Sequence, residues 1–488
     1  MIVWDNCASW SGALNDRFAA VLSNHRCFVL LHAVGYAALL LIYTWHSLPW
    51  LLQGTYPPDL GASKDSRPVA EILQALTFIY LFALYLLSLL NWKRLKLNLR
   101  HLIWAGLAAG SIAWIVLPGN SADVFAYISF GRIAGLYAAS PYLHVYSEFD
   151  DFYSPYAWFD GPMPYGPVVL PVFILAGVVS QLSLIASIYT LKLIWLLLHG
   201  CSSWLMYRIL KPLRPDPAYG LFLFALNPLM LLELVINAHN DGLMILFGLL
   251  AILSLQRRQH SLALWMALLS ALVKLPGALL LMGVLAFLIR QRQWRGLIYG
   301  LLGGLAAMIV LEIELLPGVE PLLNPISSYW LGSENSLHGL LVILAQILGI
   351  GLGLDVSYES VFLADRQIFA VLFLLFCLWQ LWRIGDLCSL AREMGHILLG
   401  LLIGYAIWFF PWYVTWLIPF AAMAESDRLQ WIIITFSATA LALYCFPYFV
   451  VEQAPLSWLW GTLQLVIVHG IPLWLMIRYW IAERASWG

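Results

Sequence analysis

A chain of 488 residues that is 62% hydrophobic and only 10% charged is not a typical soluble domain, in which about a quarter of the residues carry charge. A net charge of −1 supplies no strong field for nucleic acid. The six cysteines are scattered, with no CxxC and no His/Cys metal spacing, so neither a disulfide framework nor a zinc site is expected.

The chain starts with a polar stretch to Arg26 that lacks a small-residue cleavage site, so no cleaved signal peptide is expected. Apolar runs follow at 28–45, 72–92 and 102–117. Between the second and third lie Lys93, Arg94, Lys96 and Arg100, and short basic loops of this kind stay on the cytoplasmic side. The third span then exits, which puts the stretch 118–167 outside. A loop of that length tends to be functional. Its Tyr, Phe, Trp, Pro and Asp content predicts short helices lying along the membrane surface.

Further runs lie near 168–185, 188–205, 221–235, 243–255, 262–289, 297–316, 340–354, 368–382, 397–410, 412–422, 431–446 and 456–481. Of these runs, roughly thirteen approach the ~20 apolar residues that a crossing needs. The run around Lys274 and Pro276 reads as two half-helices meeting at a break. Two full crossings between 167 and 208 would put the basic residues Arg208, Lys211 and Arg214 outside, so one of those two runs is expected not to cross. No Asn-x-Ser/Thr sequon and no internal repeat is present. The expected fold is an all-α polytopic membrane protein.

Five constellations could carry chemistry. In the outer loop, Asp123 follows the exit of a span, where a partly desolvated carboxylate suits a general base. The same residue also fits a plain acid at a helix N-terminus. Helical spacing sets Asp123, Tyr127 and Phe130 on one face and Arg132 on another. The Pro/Gly-rich stretch 159–171 forces a non-helical approach to the next span and holds Tyr165 at the membrane edge, or is a simple connector. His239, Asn240 and Asp241, with Asn237, form a polar group between apolar runs, either facing a cavity that takes a sugar or phosphate, or capping the next helix. Lys274 stands alone in apolar surroundings and calls for an anion such as a lipid phosphate, unless it snorkels. The aromatic run 408–420, with Trp412 and Tyr413, is either an interfacial belt or a stacking wall for a sugar or prenyl chain. Glu334, Asn335 and His338 are less specific candidates. The close glycines at 349–354 lack the strand-turn-helix context of a dinucleotide site.

Taken in order, the acidic loop, GR…PY, YGP, LNPLxLxE, HNDxLM, the isolated Lys-Leu-Pro and PWYxxWxxP resemble the bacterial polyprenyl-phosphomannose-dependent α-1,6-mannosyltransferases, of the GT-C class of integral membrane glycosyltransferases. The matching stretches carry Asp123, Arg132, Pro141, Tyr142, Tyr165, Glu233, His239, Asp241, Lys274 and Pro411, and cover roughly residues 100 to 420. The resemblance implies a GT-C-like bundle of about 11–14 transmembrane helices with a large catalytic outer loop that carries interfacial helices. It implies Asp123 as catalytic base. Tyr127, Arg132, Tyr142, Tyr165, His239, Asn240, Asp241, Lys274, His338, Trp412 and Tyr413 are the expected substrate-binding residues. Many relatives carry paired acids at the base, whereas Ala122 and Val124 flank Asp123 here, so no metal and no cofactor is expected.

Residues 101–425 are read as the catalytic module, 1–100 as a cytoplasmic segment with two added spans, and 426–488 as closing spans with a cytoplasmic tail. The expected partners are a polyprenyl-phosphate sugar donor, a glycan or glycolipid acceptor, and membrane lipids. The expected location is the cytoplasmic membrane, multi-pass, with the N-terminus inside and the site on the non-cytoplasmic face. Two other readings stay open. A lipid-linked sugar transporter or flippase predicts inverted repeats. A glycan polymerase or ligase differs only in using a lipid diphosphate donor.

Overall fold

The structure is a computed structural model and describes residues 19–52, 68–157, 159–314, 335–353, 357–424, 426–445 and 454–485. The described residues fold as helices and the turns that join them: the chain is an all-α, polytopic membrane protein. Among the described residues, six helices are long and apolar enough to cross a bilayer unaided, and a bent pair makes a seventh. Helix Tyr358–Trp382 shows why lipid is the solvent: only 11% of its apolar window is buried, and Ile368, Val371, Leu372 and Leu375 all face outward.

The site is framed by ten helices: α1 (His25–Leu51), α2 (Pro68–Leu90), α3 (Leu99–Ile115), α4 (Asp123–Gly135), α5 (Leu170–Val179), α6 (Leu184–Leu213), α7 (Pro217–Ala225), α8 (Asp241–Gln256), α9 (His260–Ala271) and α10 (Gly277–Arg290). Helix α3 and α6 are antiparallel neighbours. Trp114 Nε1 donates to Tyr189 O at 3.2 Å, and Tyr189 Oη donates to Ile115 O at 2.9 Å. At the other end, Gln256 Nε2 donates to Ile209 O at 3.1 Å, Trp92 Nε1 to Asp216 Oδ2 at 2.6 Å, and Ser261 Oγ to Gly296 O at 3.2 Å. These bonds gather the basic segments at 93–100, 208–214, 257–258 and 290–295 at one end of the bundle. Asp123 and the turn 237–240 lie at the opposite end.

The crossing problem between 167 and 208 has a geometric answer. Helix α5 has ten residues, rising about 15 Å, half of what a hydrocarbon core requires. It packs back on α4 and does not cross. The pair approaches backbone to backbone through two glycines. A Cβ at Gly131 would lie 1.7 Å from Phe173 O, and one at Gly177 would lie 2.3 Å from the Gly131 carbonyl carbon. Close contact through small residues is how helices associate where water cannot drive them together.

Other expected spans are broken. Helix α7 stops at Ala225, before Asn227–Pro228, and a second helical stretch from Pro228 to Ile236 follows after a 44° bend, its last six residues, Leu231–Ile236, being a π-helix. Pro276 separates α9 from α10, but the two are not halves of one span: 257–258 and 290–295 lie at the same end of the bundle, so α9 and α10 run antiparallel as a hairpin with Lys274 in its connecting turn. The runs at 397–410 and 412–422 are not two spans. Helix Leu387–Leu399 passes into a π-helix, Gly400–Tyr405, an irregular stretch follows, and a 3-10 helix, Pro411–Trp416, leads to the short helix Ile418–Met423. Pro411 at the start of the 3-10 turn and Pro419 beyond it stop an α-helix from running through.

The α4–α5 glycine contact is testable. Gly131→Val should lower stability by about 1–3 kcal/mol or more, because backbone must move to admit the side chain. Gly106→Ala on α3, where a Cβ meets nothing within 4 Å, should change it by no more than about 0.5 kcal/mol. Thermal unfolding of the two purified variants in detergent provides the comparison.

Candidate active site

Asp123 opens α4, with its backbone N–H donating to Ser121 Oγ at 3.3 Å. One helical turn on, Tyr127 Oη lies 3.4 Å from both Asp123 Oδ2 and His239 Nδ1. The Tyr127 ring is stacked on Phe173 of α5 and edge-on to Tyr165. The glycine-clamped α4–α5 pair therefore aims the carboxylate.

His239 comes from the tight turn that ends the π-helix. Its Nδ1 lies 3.5 Å from Asp123 Oδ2, and its Nε2 lies 3.3 Å from Glu233 Oε2, an ion-pair distance rather than an aligned hydrogen bond. Asn237 Nδ2 donates to the same Glu233 oxygen at 3.0 Å. The π-helix makes this possible: its wider turn brings Glu233 beneath the imidazole, and the His239 N–H closes the turn on Glu233 O at 3.0 Å. Trp412 covers the imidazole face at 4.0 Å. His239 and Glu233 are fully buried, whereas the Asp123 side chain is 18% exposed. One end of the carboxylate–imidazole–carboxylate row is thus open.

Lys274 and Asp241 form the second half. The Lys274 ammonium donates to both Asp241 oxygens, at 2.9 and 3.1 Å. Trp416 Nε1 donates to Asp241 Oδ1 at 2.6 Å. The rings of Tyr165, Tyr413 and Trp416 surround the ammonium at 5.5, 5.6 and 5.8 Å. Backbone bonds dock the Tyr165 strap on this corner: Gly166 N–H donates to Val273 O at 3.0 Å, and Val168 N–H to Leu272 O at 3.2 Å. A Cβ at Gly166 would sit 1.9 Å from Leu272 O, so only glycine permits the approach.

The structure therefore brings Asp123, Tyr127, Tyr165, His239, Asp241, Lys274, Trp412 and Tyr413 together. Asn240 belongs to the same turn. It stands at the N-cap of α8 yet makes no capping bond, and its buried amide has no hydrogen-bond partner among the described residues. Asn237 bonds Glu233 instead of capping. Three expected residues are not joined to the cluster. Arg132 is 4% exposed and engaged at all its nitrogens, through Tyr146 Oη at 2.7 Å, Ser180 Oγ at 2.6 Å and the Asp151 carboxylate. It braces the outer loop against α5, with no face left for a phosphate. Tyr142 is buried in that loop, and no hydrogen bond, ion pair or ring contact links it to the cluster among the described residues. His338 is tied to Asp365 at 2.6 Å and to Gly404 O at 3.1 Å. Asn335 O accepts from His469 Nε2 at 2.9 Å, and Glu334 lies outside the described residues. Glu233 and Trp416 escaped the sequence reading of site residues, although both stand inside the quoted motifs.

Electrostatics follow from this packing. Burial alone would raise the Asp123 carboxyl. The hydrogen bond from His239 and the charges of His239 and Lys274 outweigh it and hold the group below the ordinary carboxylate value. Burial disfavours charge on His239, but Asp123 and Glu233 on its two sides raise it to about 9. At neutral pH Asp123 is therefore a carboxylate and His239 an imidazolium. A histidine raised above 6.5 stabilises the fold fully below that pH and loses the contribution as pH climbs through about 9. The stability advantage of the wild type over His239→Gln should therefore be on the order of 3 kcal/mol at pH 6 and shrink steadily between pH 6.5 and 9. Thermal unfolding across that range measures it.

A family model described as alpha-(1->6)-mannopyranosyltransferase, N-terminal domain, matches residues 53–290. That stretch holds Asp123, Tyr165, Glu233, His239, Asp241 and Lys274. Alpha-(1->6)-mannopyranosyltransferase B of Corynebacterium glutamicum is 24% identical over 151 residues, 29% of this chain and 25% of that protein. The chain thus spans about a quarter of the length of the curated relative it matches. Over residues 53–290 this chain matches the alpha-(1->6)-mannopyranosyltransferase family, and the resemblance read from its sequence motifs is borne out.

Proposed function

We propose that the protein is a membrane glycosyltransferase that moves a hexose, mannose by its family resemblance, from a polyprenyl-phosphate donor to a hydroxyl of a glycan or glycolipid acceptor. The observation that carries this reading is Asp123: a partly exposed carboxylate, kept ionised by a buried imidazolium, in one cluster with the Lys274 ammonium.

In this reading the acceptor hydroxyl oxygen attacks the anomeric carbon. The bond from that carbon to the phosphate oxygen breaks, polyprenyl phosphate leaves as an anion, and Asp123 takes the hydroxyl proton. A base held below the ordinary carboxylate value takes that proton late, once the oxygen has bonded to carbon and become acidic. A phosphate monoester is stable as it departs, so no general acid is required. It does need positive charge nearby, which Lys274 supplies. Attack opposite the leaving phosphate inverts the anomeric centre, as in inverting glycosidases with a sugar hydroxyl in place of water. The half-buried rings of Tyr165 and Tyr413 give aromatic surface suited to a sugar ring, with Trp412 and Trp416 packed behind as support.

Gathering of the basic segments at the far end of the bundle supports a site on the non-cytoplasmic face of the cytoplasmic membrane. The cluster runs from Asp123 to Trp416, within the catalytic module proposed for 101–425, and neither metal nor cofactor is part of the scheme. Asp123→Asn should lower turnover by about two to four orders of magnitude with folded protein retained. Lys274→Met should raise the donor KM about tenfold or more. Transfer assays with purified variants and lipid-linked donor measure both. Normal turnover in Asp123→Asn means that Asp123 is not the base.

A further inference from the structure

Lys192 lies in the first third of α6, fully buried, and no acid pairs with it among the described residues. Its ammonium donates to Val235 O at 2.7 Å, Ile236 O at 2.9 Å and Ala113 O at 3.2 Å. A buried cation without a carboxylate is costly unless something else carries negative charge. Here that something is a pair of helix ends. Val235 and Ile236 are the last two residues of the π-helix, and Ala113 is in the last turn of α3. The final carbonyls of a helix have no partner within it. Each helix C-terminus carries roughly half a negative charge, so two together balance about one ammonium.

The two helix ends are the roots of the two arms of the site. The chain beyond Ala113 leaves α3 and turns into α4 at Asp123. The chain beyond Ile236 makes the tight turn that presents His239. We propose that Lys192 is a positioning residue of the active site, pinning these two helix ends together so that Asp123, His239 and Glu233 keep their row. Nothing in the row touches Lys192, so its action is geometric. The inference rests on the reading of Asp123 and His239 as the reacting centre, but its test does not.

The test is the titration midpoint of His239, followed by NMR in nanodiscs with histidine ring labelling and assigned with His239→Gln. His239 faces Asp123 and Tyr127 from α4 and Glu233 from the π-helix, with Trp412 stacked on it. Lys192→Met removes the ammonium and its donors at similar volume. Loss of a nearby cation alone raises a histidine midpoint; loss of carboxylate contacts lowers it toward 6.5. Positioning therefore predicts a fall of about one pH unit or more from the wild-type value. Lys192→Gln keeps two N–H donors without the charge and should leave the midpoint within about 0.3 unit of wild type or slightly above it. With transferase activity as second readout, Lys192→Met should lower kcat about tenfold or more and keep the donor KM within about twofold. A Met variant with an unchanged or raised His239 midpoint overturns the proposal. If that variant does not fold, Lys192→Arg decides, because its longer forked cation must part the two sets of carbonyls, and an unchanged midpoint in it also overturns the proposal. A wild-type protein that transfers no sugar counts against the proposed reaction alone, since the midpoint still judges Lys192.

Discussion

Charge buried in an apolar bundle has to be balanced locally, and that requirement organises the end of the molecule that holds Asp123. An imidazolium at His239 is tolerable only with Asp123 and Glu233 on its two sides. An ammonium at Lys274 is tolerable only on the Asp241 carboxylate and within a ring of aromatic faces. Each pairing joins segments far apart in the chain. The charges therefore act as a template: α4, the 237–240 turn, the α9–α10 break and the 411–416 turn must converge, or a charge is left alone in hydrocarbon.

The means of convergence is irregular backbone. Two π-helices, Leu231–Ile236 and Gly400–Tyr405, lie immediately before the two segments that deliver His239 and the Trp412–Trp416 wall. A π-turn leaves its end carbonyls exposed, and in both cases a side chain from another helix takes them: Lys192 for Val235 and Ile236, and His338 for Gly404. His338, expected from sequence at the substrate, thus serves the backbone. Irregular backbone in a membrane persists where protein groups satisfy it, and here those groups are identifiable.

Much of this was legible in the sequence, for a physical reason. A polar residue inside an apolar run carries a large cost, so Asp123, the 237–241 group and Lys274 stand out from their surroundings. The break at Pro276 and the tyrosine strap before α5 were legible from proline and glycine. Lys192 carries the same signal as Lys274 and was passed over, since an isolated lysine in a span says that it needs a partner without saying that the partner is two helix ends. Glu233 was hidden in a run whose helical pattern is unchanged by one residue more per turn. Arg132 had the right chemistry for a phosphate, but Asp151 and Ser180 reach it only through the fold of the loop, which no spacing rule gives. Which of the two runs between 167 and 208 does not cross was not legible, because the ten-residue apolar helix α5 continues into apolar turns.

In the proposed reaction, the convergence of Asp123 and Lys274 is what distinguishes an enzyme from a carrier of the same lipid. A carrier needs to release its cargo unchanged, whereas the proposed base and the proposed phosphate-stabilising cation together would cleave it. The most direct test supplies purified protein in liposomes with labelled polyprenyl-phosphate mannose and an oligomannoside acceptor, and follows both the position of the label across the bilayer and the anomeric configuration of any product. The account predicts a new glycoside with configuration opposite to that of the donor. Label that crosses the bilayer with no glycoside formed, or a product of retained configuration, would contradict it.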